Sequence, residues 1–269
     1  MELTRAITRL TTVFFCVFLS GLVFADRNYP CLDASILDFT DRGTITDTPC
    51  VLATKKVLVE GGYQYADLVG DGGRLQSVPQ MEVALGLPLK TEIFALLPVY
   101  EHQTGPLVTG FTATAIGVKK EMFHGEKWVV SGQGIITPPG GSTAFGNPNT
   151  SYTINAILGY TISSQFSLTS MLGMSSISSA SAAGGGRYNS FNPSIALLYS
   201  PTEKLNFFGE IYSQTQTYVD EGAGYDVDGG IIYILSKSTA LDIEIGQRIH
   251  GNIGEIEKYV GAGLTFLMN

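Results

Sequence analysis

Charged residues are scarce in this sequence. Asp, Glu, Lys and Arg make up 15% of its 269 residues, whereas about 25% is typical of soluble globular domains. The formal net charge is -8 at pH 7, and the basic residues form no patch, which argues against nucleic acid as a partner. Glycine, by contrast, is abundant at 32 residues, and aromatic residues make up 10%. Low charge with much Gly, Ser, Thr and Tyr predicts a β-protein that faces two solvents.

Long apolar runs are also rare. One of them, TTVFFCVFLSGLVF, follows Arg5 and Arg9 and is too short for a comfortable transmembrane helix. This arrangement predicts a secretory signal peptide over residues 1–25, which ends at Ala25 and leaves Asp26 as the mature N-terminus. No other run of about 18 apolar residues follows, so any membrane crossing must use strands that close into a barrel.

Cysteine is rare as well, with three residues in the chain. Cys16 lies in the signal peptide, so Cys31 and Cys50 remain, and a pair in an exported protein predicts a disulfide. Closing a loop of about 20 residues stabilises by about 3 kcal/mol in the chain-entropy model. Neither cysteine has a second ligand at close spacing, so no metal site is expected. Residues 26–54 are therefore predicted to be an N-terminal cystine-containing segment, either a periplasmic appendage or a plug that enters a barrel.

The sequence is rich in period-two alternation. In ALDIEIGQRIH, residues 240–250, Leu241 and Ile243 fall on one parity, while Asp242 and Glu244 fall on the other. Such alternation predicts a strand with one apolar and one charged face. Twelve such strands are expected, at 55–67, 74–87, 91–103, 109–122, 127–137, 151–162, 166–176, 188–200, 204–218, 226–236, 240–250 and 258–267.

Short turns and longer loops alternate between these strands, and aromatic residues cluster toward the strand ends. Both features are typical of outer-membrane barrels, whereas strands of soluble sandwiches are shorter. We therefore expect an all-β fold: an antiparallel transmembrane outer-membrane β-barrel of about 12 strands over residues 55–269, with periplasmic termini. The expected location is the Gram-negative cell outer membrane, and the expected partners are outer-membrane lipid and the outer-membrane assembly machinery.

Polar residues on one parity of the later strands are predicted to face the lumen, because they would be costly in lipid. The candidates are Asn192, Glu210, Tyr212, Gln214, Asp228, Asp242, Glu244 and Arg248. Together they would form either a polar wall that contacts a solute or a packed, salt-bridged interior without transport. Twelve strands lie between filled eight-stranded barrels and open sixteen-stranded porins, so we expect a narrow or partly blocked lumen.

No catalytic residue, cofactor or metal site is predicted. The histidines at 102, 124 and 250 are expected on the surface or at the rim, since no nucleophile elbow or His/Ser pairing is visible. Asp226 and Asp228 faintly resemble the start of a calcium loop, but the third acidic position and the closing Glu are missing. They are expected to begin a strand.

Three stretches resemble a known family. The order TPPGGSTAFGNPNTSYTINAILGYTISSQFSLTSMLG, then PSIALLYSPTEKLNFFGEIYSQ, then DVDGGIIYILSKSTALDIEIGQRI resembles the outer-membrane family named for the phenol meta-degradation pathway. The resemblance covers roughly residues 55–269. It departs at the C-terminus, where barrels usually end on an aromatic residue but Phe266 is followed by three further residues, so the assembly machinery would use Phe266 in a shifted register.

The resemblance implies a function without chemistry. Members are called outer-membrane transporters and are held to be related to hydrophobic-compound channels, so the expectation is passive passage of small, hydrophobic or aromatic molecules. Two alternatives stay open: a twelve-stranded outer-membrane lipid hydrolase, and a structural or adhesive barrel that acts through its extracellular loops 138–150 and 177–187.

Overall fold

The computed structural model of the chain describes residues 29–268. Their strands form one antiparallel sheet, which closes on itself because the first strand pairs with the last. The strands are β1 Val57–Leu68, β2 Arg74–Val78, β3 Glu82–Leu87, β4 Thr91–Leu96, β5 Tyr100–Gln103, β6 Val108–Phe111, β7 Ala115–His124, β8 Trp128–Thr137, β9 Ser151–Thr161, β10 Phe166–Ser178, β11 Arg187–Tyr199, β12 Leu205–Gln214, β13 Gly224–Ser236, β14 Thr239–His250 and β15 Ile256–Met268. Short 3-10 turns lie at Ile36–Asp38, Gly70–Gly72, Ser181–Ala183 and Ile253–Glu255.

The fifteen strands make twelve crossings of the barrel wall, because β2 with β3, β4 with β5, and β6 with β7 are halves of interrupted crossings. The predicted closed twelve-stranded antiparallel barrel is thus confirmed. The prediction that these three crossings are unbroken was wrong. Pro79 and Pro98 interrupt the first two because proline has no N–H to donate to the ladder. The third crossing, β6 with β7, is interrupted beside the break at Pro98 in the neighbouring crossing. There the Val99 N–H donates to the Thr112 hydroxyl at 2.9 Å, and the Thr112 N–H donates to Val99 O at 3.0 Å.

The connections differ in length at the two ends of the barrel. One end, called here the short-turn end, carries the turns 88–90, 125–127, 162–165, 200–204 and 237–238. The opposite end, called the long-loop end, carries the connections 69–73, 104–107, 138–150, 179–186, 215–223 and 251–255. The N-terminal end of β1 and the C-terminal end of β15 both lie at the short-turn end, since Val57 pairs with Met268.

The outer face of the wall is apolar. Exposed side chains include Leu172, Met174, Ile195, Ile211, Ile243, Ile245 and Val260. Aromatic residues collect near the short-turn end, where Phe166 stacks on Tyr199 with ring centroids 4.6 Å apart, and Trp128 is the strand partner of Tyr160. An apolar band with an aromatic belt is what contact with a lipid bilayer requires. The chain is an outer-membrane β-barrel.

Among residues 29–268, no helix is both long and apolar enough to cross a membrane.

Residues 29–54, called here the lumenal segment, precede β1 and contact the inner face of the wall. The segment supplies Phe39, Cys50 and Leu52 to a buried cluster with Leu58 and Phe94. It also supplies Ile36 to a second buried cluster, which it shares with inward side chains of β12–β14. The predicted disulfide between Cys31 and Cys50 is confirmed, with Cα atoms 5.5 Å apart. The predicted signal peptide at 1–25 lies outside the described residues.

Candidate functional site: the barrel lumen

The eight lumen-facing candidates lie on the inner face of the wall, where their parity alternates with exposed apolar residues. Glu210, Tyr212, Asp228, Asp242 and Glu244 are buried, and Asn192, Gln214 and Arg248 are half-buried. The wall brings four of the acids close together, because Glu210 pairs with Asp228 across neighbouring strands and Asp242 and Glu244 follow on the next strand. Arg248 stands apart from them and binds Glu257, with Nη2 to Oε2 at 2.6 Å. Asn192 likewise donates to Ser175 of β10 at 2.7 Å.

Arg42 of the lumenal segment forms ion pairs with two of these acids. Its Nε lies 3.1 Å from Asp242 Oδ2, and its Nη2 lies 4.0 Å from Glu244 Oε1. The guanidinium lies directly over Gly62 and Gly263, where an added Cβ would overlap it. Glycine at these inward positions therefore leaves room for a planar cation against the wall.

A second buried ion pair joins the lumenal segment to the other side of the barrel. Lys119 Nζ of β7 lies 2.9 Å from Asp41 Oδ2 and 3.5 Å from Glu92 Oε1 of β4. The second oxygen of Glu92 accepts the Leu52 N–H at 2.8 Å. Buried charges of this kind persist only when paired and hydrogen-bonded, as they are here. The sequence pattern did not predict this cluster. The one available signal was that Lys119 and Glu92 share the inward parity of their strands.

Glu210 binds backbone rather than a cation. Its two carboxylate oxygens accept the N–H groups of Ile45 and Thr46, each at 2.7 Å, and Oε1 also contacts the Thr46 hydroxyl. A carboxylate that accepts two backbone N–H groups forms strong charge-assisted hydrogen bonds. Glu210 therefore holds the middle of the lumenal segment against β12.

The end of the lumenal segment, and the two residues that join it to β1, make close backbone contacts with β3 of the wall. Lys55 N–H donates to Gly86 O at 2.9 Å, and Gly86 N–H donates to Lys56 O at 2.9 Å. A Cβ at Gly86 would overlap the carbonyl oxygens of Leu52 and Ala53. The chain can approach β3 this closely only because position 86 has no side chain.

Cavities of different volume lie beside the lumenal segment and at the long-loop end of the barrel. A narrow cavity of about 100 Å³ runs between the lumenal segment and the wall, where Thr48 and Pro49 face Thr161 and Thr169. A larger cavity of about 750 Å³, called here the mouth cavity, opens at the long-loop end. Residues of the loops 138–150 and 215–223 lie beside Leu75, Ile177 and Tyr188 there. The cavity at the long-loop end is therefore several times larger than the cavity beside the lumenal segment.

The histidines take no part in a catalytic arrangement among residues 29–268. His250 is exposed and lies beside Tyr225. His124 lies at the rim, at the end of β7 beside the turn 125–127, where it stacks on Tyr29 at 4.3 Å and has Nδ1 2.9 Å from Glu121 Oε1. No serine hydroxyl within the described chain is hydrogen-bonded to a histidine. The same residues hold no group of three or more His, Cys, Asp or Glu side chains arranged to bind a metal ion.

The sequence matches one family over most of its length. A family model described as "Putative MetA-pathway of phenol degradation" matches residues 66–252. The chain belongs to this family. The match begins inside β1 and leaves out the lumenal segment, as the sequence resemblance does.

Solved structures with a similar fold are outer-membrane channels and porins. An outer membrane channel from Pseudomonas putida F1 has a TM-score of 0.66 at 10% identity, covering 82% of this chain and 98% of that chain. The KdgM porin has a TM-score of 0.55 at 7% identity, covering 79% and 99%. The NanC porin has a TM-score of 0.52 at 13% identity, covering 78% and 98%. At these identities the likeness concerns the fold. No curated protein matches the sequence.

Proposed function

We propose that this member of the family is a channel for passive passage of small, hydrophobic or aromatic molecules across the outer membrane, and that the lumenal segment restricts its conductance. The observation that carries the proposal is the shape of the interior. A mouth cavity of about 750 Å³ lies at the long-loop end, whereas the cavity beside residues 29–54 has a volume of about 100 Å³. A packed barrel without transport would need no cavity of this size.

The proposed restriction of conductance rests on the contacts that hold the lumenal segment against the barrel wall. The segment is bound to the wall at several separate places, among them Arg42 on β14, Asp41 on Lys119 of β7, the backbone at 45–46 on Glu210 of β12, and the Leu52 N–H on Glu92 of β4. The disulfide further reduces the number of conformations available to a released segment. These contacts favour a plug over a periplasmic appendage.

A hydrolase is the weaker proposal. Acyl transfer needs a nucleophile within hydrogen-bond reach of a base, whereas Nδ1 of His124 faces Lys90 Nζ at 3.4 Å and Glu121 Oε1 at 2.9 Å. Of the three solved structures described above, two are named as porins and one as a channel. We further propose that Phe266, which is exposed on the outer face of β15, contacts the outer-membrane assembly machinery.

The test is single-channel conductance of the mature protein and of a variant lacking residues 26–54, both refolded into planar bilayers. We expect the shortened barrel to conduct more, and reduction of the disulfide in the full-length protein to produce part of that increase. Equal conductance of the two correctly folded barrels would contradict the proposed restriction. A barrel that conducts in neither form, and passes no small solute into liposomes, would contradict the channel itself.

A further inference from the structure

The inner face of the wall is charged on some crossings and uncharged on others. Across the neighbouring strands β8, β9, β10 and β11, all within the described chain, no inward side chain is charged. We call these four strands the uncharged sector. The buried charges of the wall belong to the other crossings, among them Glu60, Glu92, Lys119, Glu210, Asp228 and Asp242.

The lumenal segment makes its ion pairs away from the uncharged sector. Arg42 pairs with β14, and Asp41 pairs with β7. Where the segment meets the uncharged sector the contacts are neutral: the Thr46 and Ser194 hydroxyls lie 2.6 Å apart. The charges that bind the segment are therefore separated from the wall of β8–β11, and that wall stays without charge.

Both interior cavities border the uncharged sector. The narrow cavity of about 100 Å³ reaches Gly159 of β9, and none of the strand residues that border it within the described chain is charged. The mouth cavity of about 750 Å³ reaches Thr153 of the same strand from the long-loop end. Since alternate residues of a strand face inward, Asn155 and Ile157 are the inward residues of β9 that separate the two cavities.

One row of side chains closes the sector between these cavities. Met171 of β10 pairs with Ile157 of β9 on one side and with Ser194 of β11 on the other. Ile157 is 0% exposed, and Met171 and Ser194 are each 6% exposed. The next inward position of β10 toward the mouth is Gly173, which has no side chain. Met171 is therefore the side chain of β10 that lies between the cavities.

Met171 also differs from its neighbours in its freedom to move. A methionine side chain is unbranched, has three rotatable bonds and adapts to irregular gaps. Ile157 is branched at Cβ, which restricts χ1, and the hydroxyl of Ser194 contacts Thr46 of the lumenal segment. A change of rotamer at Met171 can open the row while the lumenal segment keeps its ion pairs.

We propose that small uncharged solutes cross the barrel along the uncharged sector while the lumenal segment stays in place, and that Met171 determines the largest solute that passes. The inference rests on the proposed channel function and names the route and the residue that limits it. An ion on this route would leave water without meeting an opposite charge on the wall, which is costly. An uncharged solute avoids that cost.

The experiment measures the swelling of liposomes that contain the mature protein in glycerol, arabinose and sucrose, which are uncharged and increase in size. Met171→Ala shortens the side chain that closes the row, and we expect it to shift the size cut-off to a larger solute. Met171→Val removes less of the side chain and should shift the cut-off in the same direction. Met174→Ala is the matched control, because Met174 is 67% exposed on the outer face of the same strand, and it should leave the cut-off unchanged.

Two further measurements separate the route from other causes. Heat-modifiable gel migration shows whether each variant has assembled, and protease resistance of residues 29–54 shows whether the lumenal segment stays in place. The proposal is overturned if neither assembled Met171 variant shifts the cut-off, or if the cut-off shifts only when the segment is cleaved.

The channel proposal fails by a different result. A folded barrel without residues 26–54 that admits none of the three solutes would refute the channel. If that barrel admits them while both Met171 variants behave like the parent protein, only the route along β8–β11 is refuted.

Discussion

Arg42 and Asp242 are 200 positions apart in the chain, yet they form a two-bonded ion pair inside the barrel, with Arg42 Nε 3.1 Å from Oδ2 and Nη2 3.2 Å from Oδ1. Their side chains are 9% and 1% exposed. The pair joins the lumenal segment to a strand near the closing seam of the barrel. It couples the position of the segment to a fixed point on the wall.

Removing Arg42 should release the lumenal segment. Breaking a buried pair by removing one partner typically costs about 3–5 kcal/mol, because a buried charge is left uncompensated. In Arg42→Ala we expect higher single-channel conductance and protease cleavage within residues 29–54. Adding Asp242→Asn to Arg42→Ala should recover part of the protection, since the orphaned charge is gone.

The matched control is Arg74→Ala, whose partner Asp67 lies 3.8 Å away at an exposed site. Exposed pairs contribute about 0–1 kcal/mol, so this change should affect neither readout. If Arg42→Ala conducted and resisted protease like the parent protein, the ion pair would have no role in holding the segment.

Gly86→Ala should displace the end of the lumenal segment. The new methyl group would occupy the place of the Leu52 and Ala53 carbonyl oxygens, and backbone cannot move aside as a flexible side chain can. Faster hydrogen exchange of the Leu52 and Lys55 amides is the expected result. Gly134→Ala is the control, because its Cβ would meet nothing within 4 Å. Equal exchange in both variants would rule out the close approach.

Ile243→Arg should destabilise the barrel in lipid. Ile243 is 58% exposed on the outer face of β14, and a lipid-facing arginine near the bilayer midplane costs about 2–4 kcal/mol. Reversible urea unfolding in lipid vesicles measures the change in the free energy of unfolding. Ile243→Leu should change it by less than about 1 kcal/mol. A tolerated arginine would mean that this side chain does not meet lipid.

The orientation of the barrel can be tested by cysteine labelling. Ser181 lies exposed at the long-loop end and Ser164 at the short-turn end. We expect Ser181→Cys to react with an impermeant maleimide in intact cells, and Ser164→Cys to react only after the outer membrane is permeabilised. The reverse pattern would place the long loops in the periplasm.

Several features of the lumen could be recognised only in part from sequence. Asp242, Glu244 and Glu210 were assigned an inward direction because parity along a strand is a local property. Their partners were not found, since Arg42, Thr46 and Ile45 belong to a segment with no period of its own.

The sequence by itself determined the twelve crossings, the apolar outer face and the pairing of the two exported cysteines, because alternation, turn spacing and cysteine count are all read along the chain. It also placed the chain in its family. Only the tertiary structure decided which charges meet, where Gly62, Gly86 and Gly263 admit the lumenal segment, and how the cavity is divided. The physical reason is closure: once β1 pairs with β15, residues far apart in sequence share one small interior, and their mutual contacts follow from its shape.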